Sequence, residues 1–315
     1  MITPIFIKPN KHREKGTHVP PDITAGFAGY TINDTWIVGA MRMASLPQYG
    51  LKYRVGLAHA NVNMDFYRDI AGLGERKFPF NFKTTPVFFS VMKEVKKNSN
   101  VFIGLEYLYM NSKIKPKFDF DELPDFVKEK DIKSNISSIG IGFDFDVRDN
   151  TFSPNKGTQI GANFRMNADW TGSDYEYQNF NVSVFQYVQF VPQLVSGFRL
   201  DTKFQFGDAP FYVEPGIDLR GVPSSRYQGT EVYVIETEQR YDFSLRWSGV
   251  VFTGLAKATS DKVSFSQADF VYNYGVGFRY LIARLFKLRV GMDFAKSNND
   301  WGYYITFGSA WNNRN

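Results

Sequence analysis

The feature that most constrains this chain is a long, regular alternation of apolar residues with polar or small ones. Between Ser138 and Arg148 every second residue is apolar, and the residues between them are glycine or aspartate. Side chains along a β-strand point to opposite faces in turn, so this period of two predicts strands with one apolar and one polar face. The same pattern recurs at 101–109, 198–206, 272–280 and 288–295.

Whether these strands lie in lipid or in water must be inferred from other features, because strands of a soluble β-sheet also alternate apolar and polar residues. The runs are longer than most soluble strands, aromatic residues crowd their ends, and the second face combines glycine with charge. Such a face suits the interior of a closed barrel in a membrane. Closure is required because an edge strand in hydrocarbon leaves backbone groups unpaired. A transmembrane antiparallel β-barrel is therefore predicted, with a soluble β-sandwich or solenoid as the alternative.

Composition excludes several other classes. With 43% hydrophobic and 22% charged residues the chain is not disordered, and without cysteine it has neither a disulfide scaffold nor a thiolate metal site. The net charge of +5 is spread along the chain, which argues against nucleic acid as a partner. The sequence contains no apolar run long enough for a transmembrane helix. The first residues lack the pattern of a secretory signal, so we expect either an intracellular chain or a signal encoded upstream.

Residues 1–315 are predicted to form a single barrel domain built from strand-like runs. About fifteen runs are found, in reach of a barrel of about 16 strands, with the first strand short or missing. They lie near 3–8, 22–32, 36–46, 51–66, 82–94, 100–113, 137–148, 157–168, 177–190, 195–207, 231–242, 244–256, 268–281, 286–296 and 301–311. Connections such as 46–50 and 149–157 predict turns at one end of the barrel. Longer ones, at 114–135 and 208–230, predict loops at the other end.

The last predicted strand carries a further signal. Tyr303, Ile305, Phe307 and Trp311 alternate with smaller or more polar residues close to the end of the sequence. A final amphipathic strand that ends in an aromatic residue is what outer-membrane barrels present to their insertion machinery. The alternative is an ordinary last strand of a sheet.

Several motifs together resemble one family. The first is a strand–turn–strand signature formed by Asp146, Arg148, Asp149, Asn150, Pro154 and Gly157. Further matches in order and spacing are 207–212, the triplet Leu219, Arg220 and Gly221, then 226–229, 238–240, 252–254, Arg289 with Asp293, and 304–311. Across residues 137–311 the chain resembles the bacterial surface antigen family, the superfamily of BamA and TamA. Earlier residues match only as generic barrel strands.

The resemblance implies a barrel in a bacterial outer membrane, with a long loop after the eleventh strand, here 208–230, folded into the lumen. In that loop the Arg-Gly pair of the family, here Arg220-Gly221, contacts acidic residues of the inner wall. Alternate residues of a strand share a face, and this parity places Glu238, Arg240 and Asp293 on the inner wall as candidates. The two carboxylates among them can pair with the guanidinium of Arg220. The alternative is a solvated loop arginine. The chain departs from the family at Val222-Pro223 and at Thr253-Gly254.

The function that the resemblance implies is assistance with the insertion or translocation of proteins or lipids at the outer membrane. The expected partners are outer-membrane lipids and, as clients, unfolded outer-membrane proteins or lipids. We expect no enzyme activity, cofactor or metal, because His12, His18 and His59 stand in no recognisable catalytic spacing.

Other interpretations stay open. The soluble repeat domains that precede the barrel in these relatives have no room in this chain. The alternative function is therefore a passive or loop-plugged pore, or a structural barrel, without insertase activity. We also consider that the chain is the barrel portion of a longer gene product.

Overall fold

A computed structural model describes residues 2–10, 19–70, 74–118, 124–223, 225–261 and 263–311. They form one antiparallel sheet in which every strand pairs with its neighbours in the sequence. The strands are β1 (Ile5–Lys8), β2 (Asp22–Tyr30), β3 (Trp36–Leu46), β4 (Leu51–Ile70), β5 (Gly74–Glu94), β6 (Val101–Pro116), β7 (Lys133–Asp146), β8 (Gly157–Asn167), β9 (Tyr177–Val191), β10 (Leu194–Gly207), β11 (Glu231–Asp242), β12 (Trp247–Thr259), β13 (Val271–Ala283), β14 (Leu288–Ser297) and β15 (Trp301–Phe307). Short 3-10 turns lie at Pro47–Tyr49, Glu129–Ile132, Asp169–Thr171 and Phe211–Val213. Across the described part of the chain, no helix is long and apolar enough to cross a membrane.

The two faces of the sheet are inverted relative to a soluble protein. In β10, Phe198 and Leu200 are 46% and 44% exposed, whereas Arg199 and Asp201, which alternate with them, are each only 3% exposed. The same inversion holds in β12 and β13, whose outward apolar residues are exposed and whose inward residues are buried. A soluble sandwich buries its apolar face between two sheets. The sandwich alternative is therefore wrong, and the prediction of an all-β antiparallel sheet is confirmed.

The connections alternate between the two ends of the sheet because all neighbouring strands are antiparallel. One end, here called the short-turn end, carries the connections at 47–50, 95–100, 147–156, 192–193, 243–246 and 284–287. The other, the long-loop end, carries 117–132, 208–230 and 260–270. The hairpin of β4 and β5 extends further toward the long-loop end than predicted. The prediction missed residues 67–70 of β4 and 74–81 of β5, where Pro79 interrupts the alternation, although the ladder continues through the pairing of Pro79 with Asp65.

The sheet curls around the loop at 208–230. Arg226 of this loop lies 2.7 Å from the Glu75 carboxylate, at the start of β5, and 2.6 Å from Asp300, between β14 and β15. Ser225 also donates a hydrogen bond to the carbonyl of Asp65 in β4. One loop thus joins strands that are far apart in the sheet order, and the polar face surrounds it.

Two predictions about the strand count require correction. The described chain forms fifteen strands, one fewer than predicted, and the long loop follows the tenth strand, not the eleventh. The alternating runs in the sequence already numbered about fifteen, and the sixteenth was expected as a first strand that is short or missing. The first strand is short, as expected, with four residues. Among the described residues no ladder joins β1 to β15, so these strands are the two ends of the sheet.

The C-terminal signal is also corrected in part. Tyr303, Ile305 and Phe307 are exposed on the outer face, as the alternation predicts. Strand β15 ends at Phe307, however, and Gly308 turns the chain with a φ of 77°. Trp311 does not continue the outer face. It is 3% exposed and lies inside the curl of the sheet.

Candidate functional site in the sheet interior

The tip of the loop at 208–230 is held inside the sheet by apolar packing. Ile217, Leu219 and Val222 are buried in one cluster with residues of three strands. The strand residues are Val232, Val234, Ala256 and Val271. Burying one such aliphatic side chain stabilises a fold by about 1.5–3 kcal/mol, so a loop with three of them favours the interior over water. Val222, at one of the two places where the chain departs from the family, contributes to this packing.

Arg220 projects from the tip into three carboxylates. Its Nη1 lies 2.7 Å from Oε2 of Glu238 and 2.9 Å from Oδ2 of Asp293. Its Nη2 donates to Oε1 of Glu236 at 2.8 Å, and Nε donates to the same oxygen at 3.1 Å. Glu238 and Asp293 are the two carboxylates proposed from parity. Glu236 was overlooked, although it shares the inward parity of Glu238.

The surroundings of Arg220 keep it charged. The centre of its guanidinium lies 3.4 Å from the ring centroid of Phe252, a cation–π contact. Burial alone would lower the pKa of Arg220, but the charges of Glu238, Glu236 and Asp293 outweigh it and raise that pKa above the usual value. The side chain is only 4% exposed, so the alternative of a solvated loop arginine is wrong.

The backbone of the tip is bound as well. Asn273 of β13 donates from Nδ2 to the carbonyl of Arg220 at 2.9 Å. The N–H of Gly221 donates to the hydroxyl of Tyr304 in β15 at 2.7 Å, and its carbonyl accepts from Ser297 of β14 at 2.7 Å. Gly221 has a φ of 87°, a conformation that favours glycine. Together with Arg220, these bonds connect the tip to β11, β13, β14 and β15.

A wider ionic network surrounds these contacts. In β10, Arg199 donates to Glu236 at 2.9 Å and to Asp201. In β13, Arg279 donates from Nη2 to Oδ2 of Asp293 at 2.9 Å. A charged group inside a protein requires such partners, because leaving it unpaired costs far more than leaving a neutral group unpaired. We call Arg199, Asp201, Arg220, Glu236, Glu238, Arg279 and Asp293 the interior network.

The C-terminal segment joins the same network. Trp311 donates from Nε1 to Oε2 of Glu236 at 2.7 Å. Its ring stacks on Phe185 at 5.9 Å between centroids and packs beside Tyr187. The ring also fills the space above Gly197, where a Cβ would lie 2.8 Å from it. The residues after β15 are thus anchored to the carboxylate that holds the loop tip.

Arg240, the third residue assigned to the inner wall, lies apart from Arg220. Its Nε donates to Asp242 at 3.1 Å, and its Nη1 donates to the carbonyl of Pro154 at 3.3 Å. It therefore connects β11 with the connection between β7 and β8. The alternation along β11 predicts an inward side chain at this position but does not specify which element it meets.

The strand–turn motif forms a compact, self-bonded structure. Arg148 donates from Nε and Nη2 to the two oxygens of Asp146 at 2.9 and 2.8 Å, a bidentate pair. The carboxylate of Asp149 accepts from the backbone N–H groups of residues 155 and 156 at 2.8 and 3.2 Å. Gly157 has a φ of 106°, and a Cβ there would lie 2.3 Å from the carbonyl oxygen of residue 147. These contacts explain why the motif uses these residue types.

The same turn reaches other parts of the short-turn end. Asn150 accepts from the N–H of Ser153 at 2.8 Å and donates from Nδ2 to the carbonyl of Phe286 at 3.1 Å. The N–H of Ser309 donates to the carbonyl of Phe152 at 2.5 Å. The connection between β7 and β8 therefore contacts both the β13–β14 turn and the C-terminal segment.

The remaining sequence candidates are the histidines. His59 pairs its Nδ1 with the hydroxyl of Thr85 at 2.7 Å, with its ring 5.4 Å from that of Trp36. His12 and His18 lie outside the described residues.

Comparisons with known proteins reveal similarity at the level of the fold. No protein family model and no curated protein sequence matches the chain. Among solved structures, BamA from Haemophilus ducreyi lacking POTRA domains 1-3 is similar, with a TM-score of 0.61 and 11% identity over 98% of this chain and 75% of that chain. CdiB from Escherichia coli has a TM-score of 0.58 and 10% identity, over 97% of this chain and 66% of that one. CdiB from Acinetobacter baumannii has a TM-score of 0.51 and 7% identity, over 97% of this chain and 64% of that one. The chain shares the fold of these barrels.

Proposed function

We propose that this chain is an integral barrel of a bacterial outer membrane that assists the insertion or translocation of proteins or lipids there. The fold shared with BamA and CdiB supports this proposal, as do the motifs that resemble the bacterial surface antigen family. The exposed apolar face of the sheet suits lipid, and the buried polar face suits an enclosed lumen. Outer-membrane lipids are the proposed surroundings, and unfolded outer-membrane proteins or lipids are the proposed clients.

The observation that carries the proposal is a contrast between the loop tip and the sheet ends. The tip is bound by a buried network that reaches β14 and β15. By contrast, β1 and β15 have only four and seven residues and no ladder joins them among the described residues. Strands this short can exchange few backbone hydrogen bonds. A seam between them would be short and would therefore open at low cost, while the loop holds the later strands in place.

A loop-plugged pore without insertase activity is the second candidate. It is favoured by the path of the loop at 208–230, which occupies the interior from β4 and β5 to the β14–β15 connection. A loop in this position obstructs water and solutes in the lumen. Neither candidate invokes bond-making or bond-breaking chemistry, and the absence of enzyme activity and of cofactors stays a prediction.

The two candidates are separated by measuring client folding and conductance on one preparation. The purified chain is reconstituted into liposomes, and an unfolded test barrel is added to these and to protein-free liposomes. The proposal predicts faster folding of the client with the chain present, and only flickering single-channel conductance. Steady open conductance without any acceleration of folding would contradict the proposal and support the pore.

A further inference from the structure

Lysine side chains form a row on the outer face of the sheet, close to the long-loop end. Lys83 of β5 pairs directly with Lys113 of β6, which in turn pairs with Lys133 of β7. Lys115 lies two residues further along β6, on the same face. All four side chains are exposed, whereas inward neighbours such as Ile114 are buried. We call Lys83, Lys113, Lys115 and Lys133 the lysine row.

The lysine row carries positive charge that the described residues do not pair. None of its four side chains forms an ion pair or a hydrogen bond within the described part of the chain. Lys77, on the same face nearer the start of β5, differs, because its Nζ lies 2.7 Å from Oδ2 of Asp65. Like charges directly opposite each other on neighbouring strands destabilise a sheet. An anion supplied from outside the protein would therefore stabilise this part of it.

A second, independent observation is the apolar surface that borders the row. Toward the short-turn end, the outward side chains of β6 change from lysine to tyrosine at Tyr109 and Tyr107, and then to Leu105 and Ile103, which are 57% and 47% exposed. This order matches the boundary of a membrane barrel, where an aromatic girdle separates the apolar band from the headgroups. Lys113 lies four residues beyond Tyr109, about 13 Å along the strand, and so reaches the level of the headgroups.

We propose that the lysine row binds the phosphate groups of negatively charged lipids in the leaflet at the long-loop end. This inference rests on the membrane location given under the proposed function. The ammonium groups donate to the phosphate oxygens, while the acyl chains cover the apolar outer surface of β5, β6 and β7. A soluble anion would gain the same charge pairing but nothing from the adjacent apolar surface, which is why a lipid is the favoured occupant.

The test measures which lipid lies against the apolar surface beside the row. Phe89, which is 45% exposed on the outer face of β5, is replaced by cysteine and labelled with a fluorophore. The vesicles contain phosphatidylcholine and phosphatidic acid in equal amounts, with bromine on the acyl chains of one lipid or the other. Quenching at Phe89→Cys should show a preference for phosphatidic acid of about fivefold or more, the effect of one lysine near an anionic surface.

A second label and a second variant provide the controls. Leu200 is 44% exposed on the outer face of β10, between the apolar Val184 and Ile235, so a label at Leu200→Cys should be quenched equally by both lipids. Replacing the three paired lysines of the row with glutamine should remove the preference at Phe89→Cys. The matched variant removes the same charge from exposed positions at the short-turn end and should keep the preference; it combines Lys96→Gln, Lys156→Gln and Arg284→Gln.

Two results would overturn the lysine row as a lipid site. One is a preference at Phe89→Cys no greater than that at Leu200→Cys, a comparison that needs no change in the row itself. The other is a preference that persists when the three lysines are replaced. In both cases quenching by brominated lipid still shows that the chain lies in the membrane. If neither label is quenched by either lipid, the membrane location fails and the inference fails with it.

Discussion

Arg220 and Asp293 are 73 residues apart in the sequence, yet Nη1 of Arg220 lies 2.9 Å from Oδ2 of Asp293 inside the sheet. Asp293 is fully buried and also binds Arg279. The contact joins the tip of a long loop to the penultimate strand through charges removed from water. Removing Arg220 would leave Asp293 paired with Arg279 but would take one positive charge away from a group of buried carboxylates, which is strongly unfavourable. The stability of the last strands therefore depends on the loop.

Replacing Arg220 with alanine should destabilise the protein substantially. We expect a loss of about 3–5 kcal/mol in the free energy of unfolding, because three carboxylates lose their shared cation. Urea unfolding of the purified chain in detergent measures this loss, and single-channel recordings should show raised conductance. Arg220→Lys should recover only part of the stability, since an ammonium group lacks the planar fork of donors.

The control for this variant is Arg284→Ala, which removes an exposed arginine from the β13–β14 turn. If Arg220→Ala unfolds at the same urea concentration as Arg284→Ala and conducts like the wild type, the loop is not anchored as described.

Gly221→Ala should be destabilising for a backbone reason. The φ of 87° is unfavourable for alanine, and the new Cβ would lie 3.3 Å from Ala295. We expect a loss of about 1–2 kcal/mol, measured by the same urea titration. Gly249→Ala is the matched control, because the nearest atom to its Cβ would be 3.8 Å away and its φ is not positive. Equal midpoints for the two variants would contradict the tight fit of the tip.

Trp311→Phe tests the C-terminal anchor. The substitution keeps an aromatic ring beside Phe185 but removes the donor to Glu236, a hydrogen bond to a charged group worth about 1.5–3 kcal/mol. We expect a loss of stability in that range, measured by unfolding. Trp301→Phe changes a residue that is 75% exposed and should leave the midpoint unaltered. A Trp311→Phe midpoint no lower than that of Trp301→Phe would show that the hydrogen bond contributes nothing.

The orientation of the sheet in lipid can be tested with single cysteines, because the chain has none of its own. Val251 and Leu255 are 52% and 44% exposed on the outer face of β12. Fluorophores attached to Val251→Cys or Leu255→Cys in liposomes should be quenched by brominated acyl chains. A fluorophore on Asp218→Cys, in the interior loop, should respond instead to iodide in water. Quenching of the β12 labels by iodide alone would place that face in water.

The sequence permits prediction of the strands because their pattern follows from the pleat itself. The alternation along β7 or β10 assigns successive side chains to opposite faces of the sheet. The buried and exposed residues of these strands follow this assignment. The inward orientation of Glu238 and Asp293 follows from the same parity. Parity alone, however, does not set how deep the loop reaches into the interior. For this reason Glu236, two residues before Glu238, was not distinguished as the carboxylate that accepts two bonds from Arg220.

Other features depend on contacts that local patterns do not encode. The inward turn of Trp311 follows from the positive φ at Gly308 and from a partner, Glu236, that lies 75 residues away. The bond from Asn150 to the carbonyl of Phe286 spans 136 residues. Such contacts arise only when the whole sheet has curled, so sequence periodicity cannot reveal them.

The anchoring of the loop is tested most directly by a double-mutant cycle on Arg220 and Glu238. Glu238 suits this purpose because its shortest ion pair is with Arg220 at 2.7 Å, whereas Asp293 is shared closely with Arg279. The free energies of unfolding are measured for the wild type, Arg220→Ala, Glu238→Ala and the double variant. We expect a coupling energy of about 1–3 kcal/mol between the two positions. Losses that add to within about 0.5 kcal/mol would contradict a direct ion pair and with it the anchored loop.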